Sequence, residues 1–260
     1  QGLMQLAWYP SDRTRVGLLG SGVSWLHISI DQFGNVGLAL ALIITAAFVL
    51  GVALFFGLAG WLGARLSVGH PLAALLLFWP ALWVLVEWFR GWFLTGFPWL
   101  ALGYAQIGWP LDGLAPLLGV YGVSWGAMLS AGALVLLVMG RPRHRLAAAA
   151  GLLGLWLAAW GLGGASWSQP AGESLRVSLV QGNVPQALKW HPEQLLRTLK
   201  LYVRLTRQHW DSDLIFWPEN AMTTFYHTLV DDYFTPLVAE AKQHGTDLVV
   251  GVPVLNEATD

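Results

Sequence analysis

The chain contains no cysteine, which removes disulfide frameworks and cysteine-based zinc sites from the residues it holds. It is also short of charge: 11% of its residues are Asp, Glu, Lys or Arg against 55% hydrophobic, and the mean hydropathy is +0.54. That is too apolar for an ordinary soluble domain of this length, so lipid must solvate much of the surface. Lysine is missing from residues 1–170, which carry four acids and seven arginines, whereas residues 171–260 carry eleven acids and seven bases. Two environments follow, a membrane part over 1–170 and a water-facing part over 171–260. No basic face is concentrated enough to neutralise a phosphate backbone, which argues against nucleic acid and leaves lipids and proteins as partners. The histidines are scattered, with no H-E-x-x-H or other ligand spacing, and His191, His209, His227 and His244 read as solvated or capping residues. Glycine loops of the Walker or dinucleotide type are missing too, so neither metal nor cofactor is expected. A basic segment leading into an apolar run is lacking at the start, and the chain opens on Gln1, which reads as an internal excerpt without a signal peptide.

What is present in quantity is long apolar runs. No charged residue lies between Asp31 and Arg65, and 36–62 is long enough to cross a hydrocarbon core as a helix. Residues 71–93, 114–139 and 146–167 have similar length and apolarity, and 14–30 is a shorter fifth candidate. Arg13 and Arg15, then Arg65, then Arg141, Arg143 and Arg145 fall in alternate connections. Cytoplasmic loops are enriched in such residues, so the loop containing Gly96-Phe97-Pro98-Trp99 and everything after Trp167 are expected outside. Trp92, Trp99 and Trp109 fit an aromatic belt at that outer interface.

After Pro170 the periodicity changes. Arg176–Gln181, Asp213–Trp217 and Thr246–Val252 read as short strands, separated by two helical stretches. In the first, Leu195, Leu199, Tyr202, Val203 and Thr206 share a face. The second runs from Asp231 to His244, with acids at its start and Lys242 near its end, as the helix dipole prefers. The order βαβαβ predicts an α/β layered domain that three strands do not complete.

The most informative acid is Glu219, in Phe216-Trp217-Pro218-Glu219-Asn220, because it directly follows a predicted buried strand. Ligands of open α/β sheets bind outside strand carboxyl ends. A carboxylate there, beside apolar Phe216 and Trp217, is expected to be partly desolvated and suited to general-base work; the alternative is a loop-capping or ion-paired acid. Asn183 and Gln181 could order such a site by hydrogen bonds, with strand-end packing the competing role.

Several motifs in series now resemble one family. Trp217-Pro218-Glu219, with Val180-Gln181-Gly182-Asn183-Val184-Pro185-Gln186 and Lys189-Trp190 upstream, is similar to the opening of the nitrilase-like domain of apolipoprotein N-acyltransferases. In the membrane part, Glu87-Trp88-Phe89-Arg90-Gly91-Trp92, Leu94-Thr95-Gly96-Phe97-Pro98-Trp99, Gly103-Tyr104-Ala105-Gln106 and Leu114-Ala115-Pro116-Leu117-Leu118-Gly119-Val120 follow in that family's order, so the similarity runs from about Gly22 onward. It implies a polytopic helical bundle leading into the first part of an αββα sandwich, and a Glu-Lys-Cys catalytic set of which Glu219 alone can be placed. The glutamate would take the thiol proton, the lysine stabilise the oxyanion and the cysteine form a thioester. The acyl donor would be a phospholipid and the acceptor the N-terminal amine of a diacylglyceryl-modified apolipoprotein, at the periplasmic face of a bacterial inner membrane, with the protein a monomer. Trp190 matches a tryptophan near the family's active-site mouth, a packed loop aromatic being the alternative. The sequence departs from the family in having no cysteine, and Lys242 follows Glu219 too closely to be the catalytic lysine. The missing partners are expected beyond Asp260 and these residues alone are expected to be inert.

Glu87 and Arg90 lie three apart on one helix face. An intramembrane acid is a functional candidate, which makes them candidates for a lipid headgroup contact; near a helix end, however, Arg90 can snorkel and neutralise Glu87, and structural pairing is the favoured expectation. Gly122-Val123-Ser124-Trp125-Gly126 has the form G-x-S-x-G, but it lies within a predicted membrane helix, where the same glycines serve close helix packing. Two rivals stay open: a membrane-anchored amidase or nitrilase acting on small amides, and a non-catalytic transporter or scaffold.

Overall fold

A computed structural model of the chain describes residues 20–255. It divides into two compact units after Gln169.

The first unit is helical. Leu26–Gly34 (α1) ends where Asn35 turns left-handed, and Leu38–Leu66 (α2) follows. Pro71–Arg90 (α3), Ala115–Met139 (α4) and Pro142–Gly163 (α5) complete the unit, with 3-10 turns over Phe93–Thr95, Leu102–Gln106 and Pro110–Leu114 between α3 and α4. Four of these helices, α2 to α5, are long and apolar enough to span a bilayer, the third such stretch running Pro110–Met139. A hydrocarbon solvent leaves such a run little choice, since every backbone polar group must be satisfied within the helix itself. The fifth candidate, 14–30, begins outside the described residues. Near its start α3 widens into a π-helical turn over Ala74–Phe78. Pro80, two residues on, has no N–H to offer the carbonyl of Leu76, which is where helices commonly adjust in this way. Another irregularity, Gly119 with φ 63°, bends the first turns of α4.

Small residues let these helices approach. A side chain at Gly132 would strike the Leu75 carbonyl of α3, and one at Gly113 the Ala159 carbonyl of α5. The two glycines of the G-x-S-x-G run behave differently from each other. Gly126 faces Leu114, just before its own helix, and Gly122 faces its own helix at Leu118, so close approach to another helix is carried by Gly113 and Gly132 instead of a Gly122–Gly126 pair. Ser124 is fully buried and accepts a hydrogen bond from the Gly103 amide at 2.8 Å, a packing role that leaves no nucleophile elbow. At the opposite end, Arg145 donates to the carbonyls of Gly140 and Val138 and so caps the C-terminus of α4 with positive charge.

In the second unit three parallel strands, Val177–Leu179 (β1), Leu214–Phe216 (β2) and Asp247–Val249 (β3), form a sheet in the order β1-β2-β3. Gln186–Lys189 (α6) and Pro192–Arg207 (α7) connect the first two strands. A π-helical turn at Val230–Phe234 and Thr235–His244 (α8) precede the third. The apolar face of α7 packs as its spacing predicts: Leu199, Tyr202 and Thr206 are buried, with Leu195 and Val203 beside them. Their core partners include Ile215 of β2, Trp217, Met222, Phe234 and Leu237. Arg207 forks onto Glu240 at 2.5 and 2.8 Å, tying α7 to α8. That pair raises the Arg207 guanidinium and lowers the Glu240 carboxyl from their ordinary values. The register aligns Leu179, Phe216 and Val249 on the other face of the sheet, where Leu179 and Val249 are exposed.

Candidate functional site

Glu219 sits where the parallel sheet places it. With all strands parallel, the segments after Leu179, Phe216 and Val249 leave the same edge, bringing the turns containing Asn183, Glu219 and Gly251 to one end of the unit. The sheet hydrogen bonding runs one residue past the strands: the Val180 amide donates to Phe216 O at 2.8 Å and the Trp217 amide to Val249 O at 2.9 Å. Beyond those bonds the chain is released into a turn in which Asn220 takes φ 50°, and the Ala221 amide closes back on Pro218 O at 3.1 Å.

Three contacts fix that turn. From below, Trp217 is buried, its indole N–H donates to Thr206 Oγ1 at 2.9 Å, and its ring lies 4.9 Å from that of Tyr202. Tyr202 in turn packs against Gly182, where a side chain would come within 3.0 Å of the phenol ring. Burial pushes the Tyr202 phenol up, against a hydrogen bond with the Gly182 backbone, so this aromatic wall stays neutral at physiological pH. Burial likewise raises Tyr233, whose hydroxyl donates to Leu199 O at 2.9 Å. From the side, Gly251 lies against the turn itself. A Cβ on Gly251 would lie 2.6 Å from Pro218 O and 2.7 Å from Glu219 Cα. That contact between residues thirty-two apart was not legible in Val250-Gly251-Val252-Pro253, although a glycine just past a strand is the available signal for a close backbone approach.

The Glu219 side chain is exposed, not desolvated as its apolar neighbours in sequence suggest. The reason lies in the turn: Trp217 points into the core, while Pro218 and Glu219 project outward. Among the described residues no hydrogen bond or ion pair engages the Glu219 carboxylate, so the capping and ion-pair alternatives have no support there. Asn183 is exposed with φ 49°, a left-handed position that asparagine tolerates better than most residues, and Gln181 is exposed as well. Trp190, at the end of α6, is 58% exposed among the described residues. Lys242 is exposed in the last turn of α8.

Glu87 and Arg90, in the other unit, are each only 2% exposed. The expected ion pair between them is not formed; both reach instead into the loop that follows α3. Glu87 Oε1 accepts the Trp83 indole N–H and the Leu102 amide, each at 2.7 Å, and Arg90 Nη1 donates to the Trp99 carbonyl. Arg90 also lies over Phe56, 5.7 Å from the ring centre, and does not snorkel to the surface. Folded back in this way, the loop packs Phe97 edge-on against Phe48 of α2 at 4.9 Å. Leu94, Thr95 and Leu100 all take positive φ, at 50°, 75° and 60°, a conformation that costs of order 1 kcal/mol or more per non-glycine residue and persists only where surroundings impose it. The outcome is a loop tied to Glu87 and Arg90 whose Trp92, Leu94 and Trp99 side chains are exposed. Replacing Glu87 by Ala strands two partly buried donors, and a loss of about 1–2 kcal/mol is expected, with Gln retaining much of the stability because it keeps an acceptor at the Oε1 position. Thermal unfolding of the detergent-solubilised chain checks this; equal losses for Ala and Gln would show that the loop does not depend on that acceptor.

Comparison with known proteins places these features in a family. The family model for the apolipoprotein N-acyltransferase N-terminal domain matches residues 14–133. Proteins named apolipoprotein N-acyltransferase align across both units: that of Methylococcus capsulatus is 44% identical over 238 residues, covering 92% of this chain and 47% of its own length. The Azotobacter vinelandii protein is 45% identical with the same coverages, and that of Coxiella burnetii is 41% identical over 98% of this chain and 53% of its own. The chain thus spans about half the length of the curated relatives it matches. With four membrane-length helices, a small parallel α/β unit and this identity through both, the chain belongs to the apolipoprotein N-acyltransferase family.

Proposed function

We propose that the full-length protein transfers a fatty acyl chain from a membrane phospholipid, through a cysteine thioester, to the N-terminal amine of a diacylglyceryl-cysteine apolipoprotein. Glu219 is its general base. The observation that carries the proposal is the Glu219 turn, anchored by Trp217 and packed against Gly251 at the carboxyl edge of the sheet while the carboxylate itself stays open. The cysteine and lysine come from parts of the full-length protein outside these residues. Glu219 takes the thiol proton; the thiolate attacks the ester carbonyl and expels a lysophospholipid, whose oxygen leaves protonated. In the second half-reaction the lipoprotein amine attacks the thioester, loses a proton, and the cysteine is regenerated.

Other features support the same assignment. Leu179 and Val249, exposed on one face of the sheet, form the surface that a second layer of an αββα sandwich would cover. Exposed Trp190, in the segment leaving the same sheet edge, would stand at the mouth of the site and guide acyl chains, with Asn183 shaping the neighbouring turn. Glu87 and Arg90 would act on the lipid substrate through the outer loop they hold. The arginines at alternate connections support a location of the α/β unit on the periplasmic side of a bacterial inner membrane.

The test is made with the full-length protein in phospholipid vesicles supplied with a diacylglyceryl lipopeptide. A protein-bound acyl thioester followed by N-acylated lipopeptide is expected. Hydrolysis of small amides without acyl transfer would replace the proposal with an amidase, and neither reaction with a scaffold.

A further inference from the structure

Three elements meet at the arginine-rich end of the membrane unit: the first turns of α3, the last of α4 and the first half of α5. Between them lies an apolar groove of about 310 Å³, lined by side chains such as Leu76, Leu136 and Leu152, with Gly151 in its wall and His144 at one end. Its volume falls at the lower end of ligand-sized clefts, roughly 300–1,000 Å³. His144 also belongs to the basic run Arg141-Pro142-Arg143-His144-Arg145, and Arg143 Nε lies 3.3 Å from its Nε2. Arg145 is committed to the α4 carbonyls, but Arg141 and Arg143 are exposed, and no carboxylate pairs with any of the three among the described residues. The N-terminus of α5, with Pro142 in its first turn, adds the positive end of its helix dipole to the same field. An apolar slot ending in an uncompensated cationic cluster, within a unit whose helices are long enough to span a bilayer, matches the two ends of one kind of molecule.

We propose that this groove binds a phospholipid with an anionic headgroup, one acyl chain lying in the slot and the phosphate resting against Arg141, Arg143 and His144. The site is at the helix ends carrying Arg65 and the 141–145 run, and neither Glu219 nor the loop held by Glu87 and Arg90 lines it. It selects by charge through the arginines and by shape through the slot. Gly151 offers a way to separate those contributions, because a Cβ there meets nothing within 4 Å and a larger side chain would fill the slot without displacing backbone.

The test is lipid retention by the detergent-solubilised full chain, measured by native mass spectrometry with phosphatidylglycerol and phosphatidylcholine of identical acyl chains. The wild type is expected to hold one phosphatidylglycerol in preference to phosphatidylcholine by about tenfold, given the roughly tenfold or smaller effect of each basic residue near a lipid surface. Arg141→Gln with Arg143→Gln should abolish the preference. Gly151→Leu should lose the bound lipid, as should Ala147→Trp, which fills the slot from another point of its wall. Leu153→Trp, on an exposed part of α5 outside the slot, should retain it. Equal retention of the two lipids by the wild type would overturn the proposal, and so would undiminished phosphatidylglycerol binding by folded Gly151→Leu and Ala147→Trp proteins.

Discussion

Replacing Glu219 by Gln in the full-length protein is expected to reduce formation of both the acyl thioester and the N-acylated lipopeptide by a factor on the order of 10² to 10⁴, the usual contribution of a positioned general base. The substitution preserves size, and the side chain it alters is exposed and unbonded among the described residues, so stability should change by no more than about 0.5 kcal/mol. That separation makes the result interpretable. A variant that melts like the wild type yet fails in both half-reactions has lost chemistry; one that loses activity only in proportion to unfolding has not. Lys242→Ala is the matched control: this side chain is exposed at the end of α8, and acylation should persist without it. Wild-type rates of thioester formation in Glu219→Gln would remove this carboxylate from the mechanism.

Where the sequence was legible, one physical constraint dominated. The run between Asp31 and Arg65 can do little in a bilayer except form a helix, and α2 occupies most of it. The face of α7 was readable for a similar reason: Leu199, Tyr202 and Thr206 can reach a common core only at helical spacing. Short apolar strands alternating with helices then pointed to an α/β layered domain, with Glu219 directly after a strand; that the strands pair in parallel came from the fold. What the sequence did not disclose were choices settled by contacts between distant residues. Glu87 and Arg90 look like a pair when only their helix is considered. In the fold, a returning loop brings the Leu102 amide to Glu87 and the Trp99 carbonyl to Arg90, and these contacts take the place of the pair. The exposure of Glu219 was hidden for a comparable reason. Its apolar neighbour Trp217 satisfies its indole N–H at Thr206, on α7, and that anchor turns the next two residues outward. The kink at Gly119 and the distribution of helix-packing glycines likewise depend on which helix stands opposite, information that the local G-x-x-x-G pattern does not carry.

The same logic makes Gly251 the position where the smallest change should have the largest indirect effect. Adding one methyl group, Gly251→Ala, places a carbon 2.6 Å from Pro218 O, 2.7 Å from Glu219 Cα and 3.1 Å from Asn220 N, and all three are backbone atoms that cannot rotate away. Either the strand end after Val249 or the Glu219 turn must move. The strand end is pinned by the Trp217 amide on Val249 O and by the Tyr226 amide on Pro253 O, so the turn, which ends in exposed residues, should yield first. Overpacking of this kind costs roughly 1–3 kcal/mol, and a displacement near 1 Å of a reacting group can cost about 10² in rate. Gly251→Ala is therefore expected to remain folded while thioester formation falls about 10- to 100-fold, with the loss in kcat and little change in KM, because the lipid-binding surfaces are untouched. A control at Gly172, where a side chain meets nothing, should leave the rate unaltered once the strain of its positive φ is absorbed by an exposed loop. If Gly251→Ala were as active as the wild type, the Glu219 turn would be shown to adjust freely, and the precise placement argued for its carboxylate would not be what the reaction needs.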